Sequence, residues 1–406
     1  MYNINVFSKK RNYFLYKKNI KKQKSNLVSL VYDRILRNKK KKQKYLFYET
    51  YFGIYNNILI NLKLNNFPFL YDEFGFQARS KKNTLRKDTG EIYENPNDFE
   101  NFFQKIIFKI LPQSYLENFE ELKNYAQKLD LNPKVIFTAN AHVEKDLFKI
   151  WSAEQIEKKT KLIISDHGGV LEDEVNFRCW NNISDTYIKW SFSDQENTIQ
   201  MPPGINLKKV CYREKKQQNI LVLFNNEPLY PYNIHSPALP KSQYNFFKNF
   251  FKNLDEEKKK YFYFRPHPSD NWNIRKKTID DYGIKKISNK KKFSDIIINY
   301  KLLINTVPQT TFLESLASGV PTILFYNENF LKLNSEIESL LMKMKQSNMI
   351  FDDAILARNH INKIWDNPFK WWNSDEINNV RKSFFRLCSM KTKNDLLFWV
   401  NFLKKI

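Results

Sequence analysis

"VIFTANAHVEKDLFKIWSAEQIEKKTKLIISDHGG", residues 135–169, sets the fold class. It begins with Val135–Thr138 and nears its end with Lys161–Ser165, two short apolar runs with the β-branched content of strands. Between them, residues 143–159 place apolar positions at helical spacing. Strand, helix, strand is a βαβ unit, and strands joined by so long a crossover pair in parallel. Asp166, His167, Gly168 and Gly169 stand just past the second strand. The chain has 8 glycines in 406 residues, where average usage would give roughly 28. Two together at a strand end mark a place where the backbone approaches something closely or takes a positive φ.

The same alternation extends in both directions. Upstream, Phe99, Phe102, Phe103, Ile106, Ile107 and Ile110 recur on one helical face, Asn97 and Glu100 have capping-box spacing, and Pro112 stops the helix. A second helix is expected over 115–129. Downstream, Pro202, Pro203 and Gly204 form a stiff break, read as a domain boundary. Beyond it, strands are expected at 219–224, 261–265, 285–288, 302–305 and 321–326. Helices at 241–254, 293–301 and 310–318 fall between them, the last closed by Gly319. The expected architecture is α/β, with two Rossmann-like domains facing a cleft. Residues 1–205 form the first domain and 206–365 the second, followed by C-terminal helices over 366–406.

Charge is uneven. The net charge is +24, and residues 1–44 hold 15 Lys or Arg against one acid, Asp33, which makes that segment +14. Such a segment is either a solvated face or suited to an anionic partner, a membrane surface or nucleic acid. It also carries an apolar stripe of Leu27, Val28, Leu30, Val31, Ile35 and Leu36. No uncharged run reaches the ~18–20 residues of a membrane span, and no secretory leader is legible. Cys179, Cys211 and Cys388 have no metal-site spacing and fit a reducing compartment. A cytoplasmic protein, peripheral on the inner face of the membrane, is the expectation. No P-loop, GxGxxG, paired CxxC or GxSxG motif occurs, which argues against the commonest ATPases, dinucleotide enzymes, zinc modules and α/β-hydrolases.

In open α/β sheets, ligands bind beyond the carboxyl ends of the strands. Three stretches there carry chemistry. In the first, His167 can titrate near neutrality as a general base, Asp166 can orient it or replace it as the base, and Gly168 and Gly169 let backbone approach a ligand. In the second, "RPHPSD" at 265–270, prolines hold Arg265 and His267 in a restricted geometry suited to phosphate. In the third, "NTVPQTTFLESLASGVPTI" at 305–323, Thr310 and Thr311 stand at a helix N-terminus, which attracts anions. Glu314 lies three residues past Thr311, the spacing of a capping box, and can alternatively meet sugar hydroxyls. Glu172, Asp173 and Glu174 lack the further ligands a metal site needs, so no metal is expected.

Together the His-Gly-Gly, Arg-Pro-His-Pro and "TTFLESLASGVPTI" stretches resemble two-domain GT-B glycosyltransferases. More narrowly, with "ILPQSYLENFEEL" (110–122), they resemble a transferase family of bacterial surface carbohydrate biosynthesis, related to capsule polysaccharide transferases. The resemblance covers about residues 100–330. It implies a glycosyltransferase that moves a sugar from a nucleotide-sugar donor to a glycan or lipid-linked acceptor of capsule, lipopolysaccharide or related type. It needs no cofactor, the nucleotide-sugar being a substrate. It places His267 and Arg265 at a nucleotide phosphate, Glu314 at the ribose and His167 in the cleft as base. Two positions depart from the pattern: Asp166 stands where the family has Gln, and "VLEDE" follows where Tyr-Gly is usual. Three other readings remain at this stage: glycerophosphate-type transfer from a CDP-linked donor, nucleic-acid binding through the basic segment, and an inactive scaffold of the same fold.

Overall fold

The computed structural model describes residues 43–68, 74–76, 78, 97–169, 175–204, 218–224, 239–267, 273–283, 285–286, 291–326 and 337–406, with the side chains of 175–178, 239–242, 275 and 285–286 set aside. The basic segment, apart from Gln43 and Lys44, lies outside these residues, as does the acidic run 172–174.

Two all-parallel sheets organise the chain. The first contains β1 (Tyr45–Tyr48), β2 (Val135–Thr138), β3 (Lys161–Ser165), β4 (Thr186–Lys189) and β5 (Thr198–Gln200), side by side in chain order. The second contains β6 (Ile220–Leu223), β7 (Phe262–Arg265), β8 (Lys285–Lys286), β9 (Leu302–Asn305), β10 (Thr322–Phe325) and β11 (Ile350–Phe351). Its order is β11-β10-β9-β6-β7-β8, the doubly wound Rossmann order, in which the strand sequence reverses between β6 and β9. The expected α/β architecture of two Rossmann-like halves is present.

Strand residues are apolar on both faces because helices cover both. In the first sheet, Leu46, Tyr48, Ile136, Leu162 and Ile164 face Leu122, Phe148 and Trp151 of the helices Phe119–Lys128 and Asp146–Glu157. The alternate residues Tyr45, Phe47, Phe137, Ile163 and Ile188 face Phe52, Ile60, Trp399, Val400 and Leu403. The last three belong to the C-terminal helix Asp395–Lys405. In the second sheet, Val222, Phe264, Ile304 and Ile323 pack on Phe247, Phe250 and Phe251 of the helix Leu239–Lys252.

The helices of 366–406 divide between the halves. The helix Asp375–Cys388 gives Ile377, Val380 and Phe384 to a core that includes Phe312, Leu313 and Leu324 of the second half. The helix Asp395–Lys405 returns to the first sheet, where Tyr45 donates to the Leu403 carbonyl at 3.0 Å and the Trp399 indole to the Pro202 carbonyl at 3.1 Å. Pro202, Pro203 and Gly204 are buried by this packing.

Several local expectations shift. The helix expected over 143–159 is two pieces, Ala141–Glu144 and Asp146–Glu157, separated at Lys145, whose φ −115° and ψ 97° are extended. The helix expected over 293–301 turns 3₁₀ at Ile297–Asn299. The capping box at Asn97 and Glu100 forms reciprocally, at 3.0 and 2.9 Å. Gly319 ends its helix at φ 81°, the left-handed C-cap that glycine accepts without a Cβ penalty.

Candidate functional site

The His-Gly-Gly loop leaves the carboxyl end of β3. Asp166 is 3% exposed, and both carboxylate oxygens are engaged: one by the Tyr187 hydroxyl at 2.7 Å, the other by the Trp190 backbone N–H at 3.0 Å. Asp166 thus fastens the end of β3 to the end of β4. His167 is half-buried, and its ring meets Tyr51 and Trp180 edge-on, at centroid distances of 6.2 and 6.1 Å. Trp180 also meets His142 edge-on, at 4.8 Å.

His142 is absent from the sequence-based site. It follows β2, the neighbour of β3, by four residues, so the strand-end rule that singled out His167 could have found it. Both of its ring nitrogens are buried without a hydrogen-bond partner. Burial, then the nearby His167 and Lys149, lowers its pKa to about 3, so the imidazole is neutral at physiological pH.

The second half contributes the carboxyl ends of β6, β7 and β9. At the reversal point, the buried Thr306 hydroxyl donates to the Leu223 carbonyl at 3.0 Å, which ties β9 to β6. At the end of β7, Arg265 is half-buried, with its guanidinium 5.9 Å from the Phe293 ring. Nη2 donates to the Lys291 carbonyl at 3.0 Å, while Nη1 is buried without a partner. Burial lowers the Arg265 pKa, opposed by Tyr300 and Glu314. Burial raises the Glu314 pKa, opposed by Arg265. The two side chains therefore share one electrostatic environment, although 49 positions separate them in the chain. His267 is exposed beyond Pro266. Pro268 and Asp270 lie outside the described residues.

The helix Thr310–Ser318 begins just past β9, as expected. Its N-cap is Gln309, with no side-chain cap. Thr311 is therefore inside the first turn, and the capping-box reading of Thr311 with Glu314 is corrected. Thr310 has a different partner: its Oγ1 accepts the Gly169 N–H at 3.1 Å. The hydroxyl keeps its own proton to donate.

That bond joins the two halves, and it explains the paired glycines. A Cβ on Gly168 would stand 2.4 Å from Thr310 Oγ1, and one on Gly169 would stand 1.6 Å from Leu313 Cδ1. Neither glycine has a positive φ, which corrects that part of the expectation. Their lack of side chains lets the helix of the other half come up against the loop. Trp190 strengthens the junction, because its ring lies in the core with Phe312, Leu313 and Leu316 while its N–H is held by Asp166. The carboxyl ends of β3 and β9 thus face each other. The loop that carries His167 and the helix N-terminus that carries Thr310 and Thr311 are thereby in direct contact. Among the described residues, no three His, Cys, Asp or Glu side chains gather as a metal site; Glu172, Asp173 and Glu174 are outside them.

The family model described as LIC12162 family transferase matches residues 2–403. No curated protein matches the chain. Among solved structures, MurG of Acinetobacter baumannii is similar at 9% identity and TM-score 0.44, over 93% of this chain and 95% of that one. An E. coli trehalose-6-phosphate structure bound with UDP-2-fluoro glucose is similar at 10% identity and TM-score 0.41, over 72% of this chain and 78% of that one. TarM of S. aureus is similar at 13% identity and TM-score 0.39, over 69% of this chain and 57% of that one.

Proposed function

Because the chain belongs to the LIC12162 family of transferases, we propose that the group it transfers is a sugar, taken from a nucleotide-sugar and given to a surface glycan or its lipid-linked precursor. One observation carries this reading: the Gly169 N–H to Thr310 Oγ1 bond at 3.1 Å. It sets a histidine-bearing strand end directly opposite a helix N-terminus. A glycosyl transfer needs both: a base for the acceptor hydroxyl, and preorganised positive potential for the departing phosphate.

In this reading, the first half, to residue 205, receives the acceptor, and the second, 206–365, binds the donor. His167 is the base. Asp166 holds the loop that carries His167, since its oxygens accept from Tyr187 and Trp190. The leaving phosphate meets His267, the Thr310 and Thr311 hydroxyls and the first-turn N–H groups. Arg265 partly offsets the burial that raises the Glu314 pKa, and Glu314 meets the ribose. Helix dipole and cations carry the phosphate charge, so the scheme uses no metal. The protein works in the cytoplasm, and residues 1–44 hold it to the anionic inner face of the membrane. No helix among the described residues is long and apolar enough to cross a membrane.

Thermal-shift measurements against CMP-, CDP-, UDP- and GDP-linked sugars identify the donor. Saturation near 100 Kd stabilises the native state by about 2.7 kcal/mol. His267→Ala should abolish transfer to a glycan acceptor with the melting temperature unchanged, because the side chain is exposed. Full turnover in that variant removes His267 from the site. Mass analysis of the product tests the reaction itself: a hexose-type increment agrees with sugar transfer, and a glycerophosphate increment overturns it.

A further inference from the structure

The helix Asp98–Ile110 is 13 residues long and buries none of them. Phe99 is 71% exposed, Phe102 56% and Ile110 63%. An apolar surface of this kind on a folded protein marks something it docks against. The helix does not depend on that partner to form, since its capping box is closed at both hydrogen bonds.

The exposed side is not uniformly apolar. Asp98, Phe102, Lys105 and Lys109 fall on one stripe of the helix, so the two lysines outnumber the one acid beside Phe102, and Phe99 and Ile110 lie together along one edge of that stripe. Both lysines are exposed. At 1.5 Å per residue the helix is about 20 Å long, shorter than the ~30 Å hydrocarbon core, so it can lie on a bilayer but not span one. Aromatic and aliphatic side chains beside lysines on one face suit the boundary between headgroups and acyl chains. The chain's net charge of +24 and the +14 of residues 1–44 favour the same anionic surface. Covering this face with the chain's own basic segment would bring like charge onto Lys105 and Lys109.

We propose that the helix Asp98–Ile110 is a lipid-docking element that lies in the plane of an anionic bilayer, with Phe99, Phe102 and Ile110 at the acyl boundary and Lys105 and Lys109 against lipid phosphates. This is a contact distinct from residues 1–44, and it stands apart from the sugar-transfer reading, because it is measured without donor or acceptor.

The test is co-sedimentation of the full chain with phosphatidylcholine vesicles, with and without phosphatidylglycerol. F99E/F102E/I110E should lower partitioning to the anionic vesicles by about tenfold or more, given the apolar area withdrawn from lipid. K105Q/K109Q should lower it by about fivefold per lysine, lost as salt is raised. Neither set touches a buried residue, so circular dichroism and melting temperature should match wild type. Wild-type partitioning of the F99E/F102E/I110E variant would overturn the proposal. So would equal binding of the wild type to uncharged vesicles. A concentration-dependent dimer that this variant abolishes, without change in vesicle binding, would assign the face to a second copy instead.

Discussion

Gly169→Ala is the sharpest probe of how the two halves meet. The added methyl would stand 1.6 Å from Leu313 Cδ1, 2.6 Å from Cγ and 3.5 Å from Cβ. Carbon atoms pack at about 3.5–4.0 Å, so something must move by roughly 2 Å. Leu313 is fully buried among Phe312, Leu316 and Trp190, so its side chain has no open space to swing into. Overpacking of this kind costs about 1–3 kcal/mol. The alternative is a parting of the loop from the helix, which breaks the Gly169 to Thr310 bond. Displacement of the base by even ~1 Å can cost about 10²-fold in rate. The expected outcome is a lower melting temperature together with a fall in transfer of that order. The assay that isolates the cause is a double-mutant cycle with Leu313→Ala. That substitution destabilises by about 2–5 kcal/mol alone, but it removes the two clashing atoms, Cδ1 and Cγ, and leaves Cβ at 3.5 Å, so adding Gly169→Ala to it should cost little more. A Gly169→Ala protein with wild-type melting and turnover, or one whose loss simply adds to that of Leu313→Ala, would refute the contact. Gly168→Ala should cost less stability, because Thr310 Oγ1, at 2.4 Å from the added Cβ, can rotate aside, with loss of its bond to the Gly169 N–H.

Trp399→Ala should destabilise the first half by about 3–5 kcal/mol, because the ring packs between Phe52 and Phe137, at 4.8 and 5.8 Å, and its indole N–H loses the Pro202 carbonyl; calorimetry of wild type and variant measures it, and an unchanged transition would remove the helix Asp395–Lys405 from that core. Stability should fall with acid through His142. Its folded pKa, about 3, lies below its unfolded value of 6.5, so the unfolded state takes up a proton that the native state refuses. Stability is unaffected above the unfolded pKa and declines as pH falls from there toward the folded value, by about 1.4 kcal/mol per pH unit. Denaturant titrations of His142→Phe should show a shallower decline over that window, with His360, lowered to about 4, left to account for part of the rest. Asp166→Asn should lower melting temperature and kcat together without moving the pH profile, because it weakens the fastening to Tyr187 and Trp190; a displaced acid limb would return Asp166 to direct proton chemistry.

Much of this architecture is legible in the chain because local rules agree with the global fold. Val135–Thr138, Lys161–Ser165 and Leu302–Asn305 are buried strands whose apolar runs are continuous, since parallel sheets are covered on both faces. Asn97 with Glu100 and Gly319 are caps whose chemistry is decided within one turn of helix. The strands Thr186–Lys189 and Thr198–Gln200 escape a sequence reading because they are short and carry polar residues. The return of the helix Asp395–Lys405 to the first sheet is a contact across more than 350 positions, as in the Tyr45 to Leu403 bond, and no local pattern encodes it.

The site divides along the same line. That His167, Arg265, His267 and Thr310 lie at strand ends followed from the alternation of strands and helices, because connectivity alone fixes which loops follow carboxyl ends. What each residue faces was a question of tertiary packing. The sequence marked Gly168 and Gly169 as positions that needed to lack a side chain. Only the folded molecule revealed that the close neighbour is Thr310 and Leu313 of the other half rather than a ligand or a left-handed turn. Likewise, Asp166 beside His167 in the chain points into β4, because successive residues leaving a strand face opposite sides. His142, some 25 positions earlier, meets the same Trp180 ring, because adjacent parallel strands bring their ends together.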